Sequence, residues 1–60
     1  MDEKPTLTQY AMRNENEVRR VVDGSMMVPA PAKTLLKEQA ALIRMMAAAI
    51  DSLKLAHQAA

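Results

Sequence analysis

The chain lacks cysteine, tryptophan and phenylalanine, and it has one glycine and one histidine among its 60 residues. Without cysteine it can form neither a disulfide nor a thiolate metal site, and a single histidine does not supply the ligands of a zinc site. Aromatic side chains bury much surface per residue, but Tyr10 is the only one present. A domain of this size hides only about 60% of the surface of its unfolded chain. Association with another chain is therefore predicted to bury the apolar surface that this chain cannot bury by itself.

Targeting and membrane segments are also missing from the sequence. The first residues, MDEKPTLTQ, are acidic and polar, whereas a secretory signal peptide has a basic start and an apolar run. Arg44 and Asp51 interrupt the most apolar stretch, which falls short of the roughly 18 apolar residues of a membrane-spanning helix. The expectation is a soluble protein without a signal peptide or transmembrane segment, in the cytoplasm or within an intracellularly assembled particle.

The sequence contains no pattern typical of catalysis. It has no glycine-rich loop and no nucleophile motif, and its carboxylates do not pair on a shared helical face. The net charge of +1 is too small for a general attraction to nucleic acid. We therefore expect a protein that is not an enzyme and that has no catalytic, cofactor-binding or metal-binding residues.

A first helix is predicted over residues 6–23. Thr6 and Gln9 have the spacing of a capping box, with Thr8 as the alternative cap. Glu15 stands four residues before Arg19, the favourable order for an ion pair. Gly24 follows Asp23 and is predicted to end the helix as its C′ residue. An apolar stripe at helical spacing comprises Leu7, Tyr10, Ala11, Val18, Val21 and Val22.

The connection over residues 24–30 contains SMMVPAP. Residues before proline avoid the α region, so Val28 and Ala30 are predicted to be extended and the connection to be stiff. Two methionines and a valine are unusual in a solvated loop. We expect them to pack against the helices, the alternative being an adhesive strip.

The second helix is predicted over residues 31–58, with Pro31 at its first position. Heptad spacing places Leu36, Ile43, Ile50 and His57 at a, and Gln39, Met46, Leu53 and Ala60 at d. This is a coiled-coil-like pattern, but the g positions are also apolar, which favours a bundle with more than one neighbour. The predicted interface residues are Leu35, Leu36, Leu42, Ile43, Met46, Ile50 and Leu53.

The predicted fold class is therefore all-α. A shorter N-terminal helix and a long C-terminal amphipathic helix form a hairpin within one domain, residues 1–60, packed in an oligomer or against a partner. A folded-back first helix is expected to shield about two-thirds of the apolar stripe on one side. The part near Ile50, Leu53 and Ala56 is expected to remain bare and to need another chain.

Several polar residues are weaker candidates for partner contacts: Arg19, Arg20, Lys33, Lys37 and Arg44. The last three form a basic line on the second helix that could meet DNA, but they lack interleaved aromatic residues. The sole histidine, His57, is predicted to be structural or at the surface, and the methionines are predicted to fill a packed interface rather than bind metal.

Three functional interpretations remain. The first is a non-enzymatic interaction module, a small structural or accessory subunit that acts through helix–helix association, either as a homo-oligomer or within a larger assembly. The second is a small inhibitor or adaptor that inserts the stripe, or SMMVPAP, into a groove on a larger protein. The third, a DNA-binding regulator, is disfavoured because nucleic-acid binding would need a stronger basic surface.

Overall fold

The described part of the chain consists of two helices, α1 (Leu7–Gly24) and α2 (Ala30–Ala59), joined by a short connection. The computed structural model describes residues 4–59, so the first three residues of the predicted polar lead and Ala60 of the d series lie outside the described residues. The two helices pack against each other along α1. The predicted all-α helical hairpin is thus confirmed.

The start of α1 is fixed by a reciprocal cap. Thr6 Oγ1 accepts a hydrogen bond from the Gln9 backbone N–H at 3.1 Å, and Gln9 Oε1 accepts one from the Thr6 N–H at 2.9 Å. Two backbone donors that lack intrahelical partners are satisfied in this way. The predicted capping box is confirmed, and it explains why the helix begins directly after Thr6.

The end of α1 differs from the prediction. Gly24 is the last helical residue and has no positive φ, so it does not act as a left-handed C′ residue. Ser25 instead caps the helix in an extended conformation, and its N–H donates to the Val22 carbonyl at 3.2 Å. A 3₁₀-type bond of this kind closes the last turn without any left-handed residue.

The connection is shorter than predicted because α2 begins at Ala30. The Lys33 N–H donates to the Pro29 carbonyl at 3.0 Å, and this first helical bond holds Ala30 in the helix despite the proline that follows. Pro31 is accommodated because an N–H in the first turn has no intrahelical partner to lose. The expectation that Ala30 is extended was wrong.

The methionines of the connection were also expected to pack, and this too was wrong. Met26 is 99% and Met27 90% exposed, whereas Val28 is half-buried. The Met27 N–H donates to Ser25 Oγ at 3.1 Å, which turns the chain tightly beside the helix end. Both methionine side chains project from this turn, at the tip of the hairpin.

The contact between the helices is made by small residues. Ala11 and Val22 of α1, and Ala40 and Ala47 of α2, are buried. None of the large side chains among the described residues is fully buried. The Cα positions extend over 49 × 25 × 7 Å, so the hairpin is a plate one helix thick. A single layer leaves both of its broad faces without a covering element.

α1 packs against one edge of the apolar side of α2 rather than across it. The expected shielding of the Leu and Ile stripe is only partial, because Leu36, Ile43 and Ile50 stay between 41% and 47% exposed. α1 is centred on the adjoining face, which carries Lys37, Arg44 and Asp51 and where Ala40 and Ala47 provide room for a neighbouring backbone. The polar residues of this face find partners on α1, and most of the stripe therefore lies on the uncovered side of the plate.

Candidate interaction surface

A polar seam joins the helices at three levels. Lys37 Nζ donates to Asp23 Oδ1 at 2.9 Å near the connection, and Arg44 Nε donates to Glu15 Oε1 at 2.6 Å in the middle. At the open end Asp51 accepts from Thr8, as described below. The α2 members recur every seven residues, which is two helical turns, so they line one face and set the axial position of α1.

The central pair lies deepest in the seam. The side chain of Glu15 is only 9% exposed, and that of Arg44 is 38% exposed. The second oxygen, Oε2, is buried without a hydrogen-bond partner and lies 3.7 Å from Nη2 of Arg19. A carboxylate buried to this extent needs its cation, because losing the partner leaves a desolvated charge.

The third level of the seam caps α1 from α2. Asp51 Oδ2 accepts from the Thr8 backbone N–H at 2.8 Å and from Thr8 Oγ1 at 2.6 Å. The first turn of α1 has no acidic residue of its own, so the negative charge that favours a helix N-terminus comes from the other helix. These bonds, that of the Thr8 side chain first, lower the pKa of Asp51.

The helical hairpin is expected to lose stability in acid. The pKa of Asp51 is depressed in the fold, so its contribution is present above the unfolded value of about 3.9 and is lost as pH falls through the folded pKa. Asp23 acts in the same direction, since the hydrogen bond from Lys37 lowers its pKa. Thermal melts by circular dichroism between about pH 7 and pH 2 should show the midpoint falling below about pH 4.

The variant Asp51→Asn isolates one of these carboxylates. It should melt lower than the wild type at neutral pH, and the difference should shrink in acid as the wild-type carboxylate takes up its proton. Glu38→Gln, an exposed position on α2, is the matched control. A difference between Asp51→Asn and the wild type that does not change with pH would contradict this role.

The predicted interface residues form one continuous surface on α2, here called the apolar surface. Their exposed fractions run from 41% at Leu36 to 71% at Leu53. Exposure is greatest at Leu53, Leu35 and Met46, and it is lower at Leu36, Ile43 and Ile50, which lie on the side nearer α1. The apolar surface comprises Leu35, Leu36, Leu42, Ile43, Met46, Ile50 and Leu53.

Residues of α1 extend the apolar surface across the plate. Leu7 and Tyr10 line a groove of about 390 Å³ together with Ile43, Met46 and Ile50. Leu7 is 40% and Tyr10 54% exposed. The sequence predicted these two residues as part of one apolar stripe of α1. The structure places them beside the apolar surface, because α1 turns Ala11 and Glu15 toward α2 instead.

The five basic residues predicted as candidate polar contacts have different environments in the structure. Lys37 and Arg44 bind carboxylates of α1 in the seam, and Lys33 is half-buried beside it. Arg20 pairs with Glu17 on the exposed side of α1, and Arg19 approaches Glu15. The basic line on α2 is thus directed at the same chain, so two of its three charges are neutralised where a nucleic-acid phosphate would have to bind.

The one histidine of the sequence lies at the surface. His57 is exposed near the end of α2, and it borders a shallow depression with Ile50 and Leu53. Within residues 4–59, no cluster of three or more histidine, aspartate or glutamate side chains could hold a metal ion. Over the same range, neither helix is long and apolar enough to cross a membrane.

Comparison with known proteins gives no relative from which a role of the apolar surface could be inferred. No protein-family model, no curated protein and no solved structure matches the chain. The feature that distinguishes this hairpin is the division of α2 into two faces. One face is polar and already paired with α1, and the other is apolar and unpartnered.

Proposed function

We propose that the chain is a non-enzymatic protein-interaction module, a small structural or accessory subunit that acts by helix–helix association through its apolar surface. The observation that carries the proposal is the exposure of all seven residues of this surface, between 41% and 71%. Contiguous apolar patches of this kind are rare on monomers and are typical of interaction sites.

The internal packing of the hairpin supports the same proposal. The buried apolar residues are three alanines and one valine, which contribute little transfer free energy compared with a buried leucine or isoleucine. Most of the large apolar side chains lie outside this core. Covering them would supply the burial that a chain of 60 residues needs to hold a stable fold.

One observation favours the alternative function, a small inhibitor or adaptor. Met26 and Met27 project from the tip of the hairpin and are almost completely exposed. Methionine side chains are flexible and adapt to irregular apolar grooves. In this alternative, the connection enters a groove on a larger protein, and contact with that protein also completes the fold of the helices.

The solution mass of the purified chain, measured by sedimentation equilibrium over a concentration series with circular dichroism alongside, tests the proposal. A helical species of discrete mass above the 6.6 kDa of one chain is the expected result. A poorly helical monomer would favour the adaptor, whose fold is completed by its target. A monomer that is stably helical at every concentration would contradict the proposal, because the apolar surface would then need no cover.

A further inference from the structure

We infer that the apolar surface is covered by a second copy of this chain, with its α2 running antiparallel, so that two hairpins form a four-helix bundle about a twofold axis. This inference rests on the proposed function and names its partner. It is carried by the accessible area of the hairpin, the absence of charge on the surface, and the distribution of large and small side chains along α2.

The accessible area matches the requirement of a dimer. The chain exposes 5186 Å², whereas a compact folded monomer of this mass exposes about 3900 Å². The excess is about 1300 Å² per chain. A stable protein–protein interface buries about 800 Å² on each partner. A second hairpin packed against the apolar surface would therefore bury most of the excess area, and the plate would become a two-layer bundle.

The composition of the surface favours an identical partner. None of its seven residues is charged, so the surface offers no electrostatic pattern by which a different protein would be recognised. The charged residues of the adjoining polar face, Lys37 and Arg44, are already paired within the chain. A twofold interface asks only that the surface match itself, and a second copy presents an apolar surface of equal length.

Side-chain size along α2 selects the antiparallel sense. The series Leu35, Leu42, Ala49 and Ala56, spaced by seven residues, is large in its first half and small in its second. Antiparallel copies place Leu42 beside Ala49 of the second copy. This pairing of a large with a small residue lets the helices interdigitate. Parallel copies would instead put leucine beside leucine at one level and alanine beside alanine at another.

The antiparallel register follows from the heptad positions, because a residues pack against d residues in this sense. It places Leu36 against Leu53 of the second copy, with Ile43 against Met46 of the second copy near the twofold axis. In the layer between them, Gln39 lies against Ile50 of the second copy. Leu36 and its own equivalent are then about 25 Å apart along the bundle, from the helical rise of 1.5 Å per residue.

Engineered cysteines test both the partner and its direction, because the chain has no cysteine of its own. Leu36→Cys and Leu53→Cys are prepared separately, one with a tag that changes its mass, and each is treated alone and mixed with a short thiol-specific cross-linker. We expect the mixed dimer as the main product and no cross-linked dimer from either variant alone. Met45→Cys, on the same helix but outside the apolar surface, is the control that should remain uncross-linked in every mixture.

Each other outcome overturns the inference in a distinguishable way. Cross-linked dimers from each variant alone would show parallel copies. Absence of any cross-linking, with a monomeric mass for the untreated chain, would show that a second copy is not the partner. In that last case the circular dichroism spectrum decides the wider proposal. A poorly helical monomer leaves a different protein as the partner, whereas a stably helical monomer removes the proposed function as well.

Discussion

Replacing Ile43 and Ile50 together by aspartate is expected to make the chain monomeric and to remove a large part of its helical signal. Both side chains lie on the apolar surface and are less than half exposed in the hairpin, so their remaining surface is free to be covered by a partner. Fully burying an isoleucine contributes about 1.5–3 kcal/mol, so covering the remaining half of each contributes about 0.7–1.4 kcal/mol. A dimer contains four of these side chains, and losing them should weaken association by at least about 100-fold, before the desolvation of the new carboxylates is added.

The helical signal should fall with association because the hairpin has so little core of its own. With only small residues buried between α1 and α2, a separated hairpin depends on helix propensity and on the polar seam. In proteins most of the stability of a helix comes from packing of its apolar face rather than from helix propensity. Sedimentation equilibrium and circular dichroism on the same samples measure the two effects together.

The chain offers a closely matched control for this variant. Met45 and Ser52 are also seven residues apart on α2, are also exposed, and lie outside the apolar surface. Met45→Asp with Ser52→Asp makes the same change in net charge on the same helix, and it should leave mass and helicity close to those of the wild type. If Ile43→Asp with Ile50→Asp leaves both quantities equally unchanged, the apolar surface is not where the chain associates.

The helices themselves could be predicted from local features of the sequence. The capping pair Thr6 and Gln9 marks the start of α1. The proline-containing connection separates the helices, and the long run rich in alanine, leucine and lysine predicts α2. These features act over three or four residues and are therefore readable along the chain. The seven residues of the apolar surface could be identified in the same way, since their spacing alone places them on one side of a helix.

The pairing of the faces could not be predicted from hydrophobicity alone. The apolar stripe of α2 was expected to attract α1, yet α1 is centred on the neighbouring face of Ala40 and Ala47, between the stripe and the polar residues. A signal for this arrangement does exist in the sequence. Three polar residues recur at seven-residue spacing on α2: Lys37, Arg44 and Asp51. Their partners on α1 follow in reverse order at nearly the same spacing: Asp23, Glu15 and Thr8. Only a comparison of the two helices in antiparallel order makes that complementarity visible.

The division of work between the two faces has a physical reason. Polar pairs are directional and specify one register, whereas apolar surface is non-directional and supplies free energy in proportion to area. In this hairpin the polar seam aligns α1 with α2. The apolar surface, whose burial would contribute the larger free energy, stays largely uncovered. The same chain thus uses specific contacts to fold back on itself and keeps its less specific ones for association.

The last prediction tests whether α1 lies on the alanine face of α2. Ala40 is 3% exposed against α1, so Ala40→Leu would drive three additional carbon atoms into a contact between closely packed helices. Overpacking of this kind typically costs about 1–3 kcal/mol. We expect a matching fall in the free energy of unfolding, measured by urea titration at a fixed chain concentration.

Ala48→Leu is the control for that substitution, because it makes the same chemical change at an exposed position on the same helix. Its effect should stay within about 0.5 kcal/mol, as for other surface substitutions. Equal effects of the two variants would contradict the observed pairing of faces. A fall confined to Ala40→Leu would support the arrangement on which the exposure of the apolar surface depends, since α1 centred on the alanine face leaves most of the leucine and isoleucine stripe uncovered.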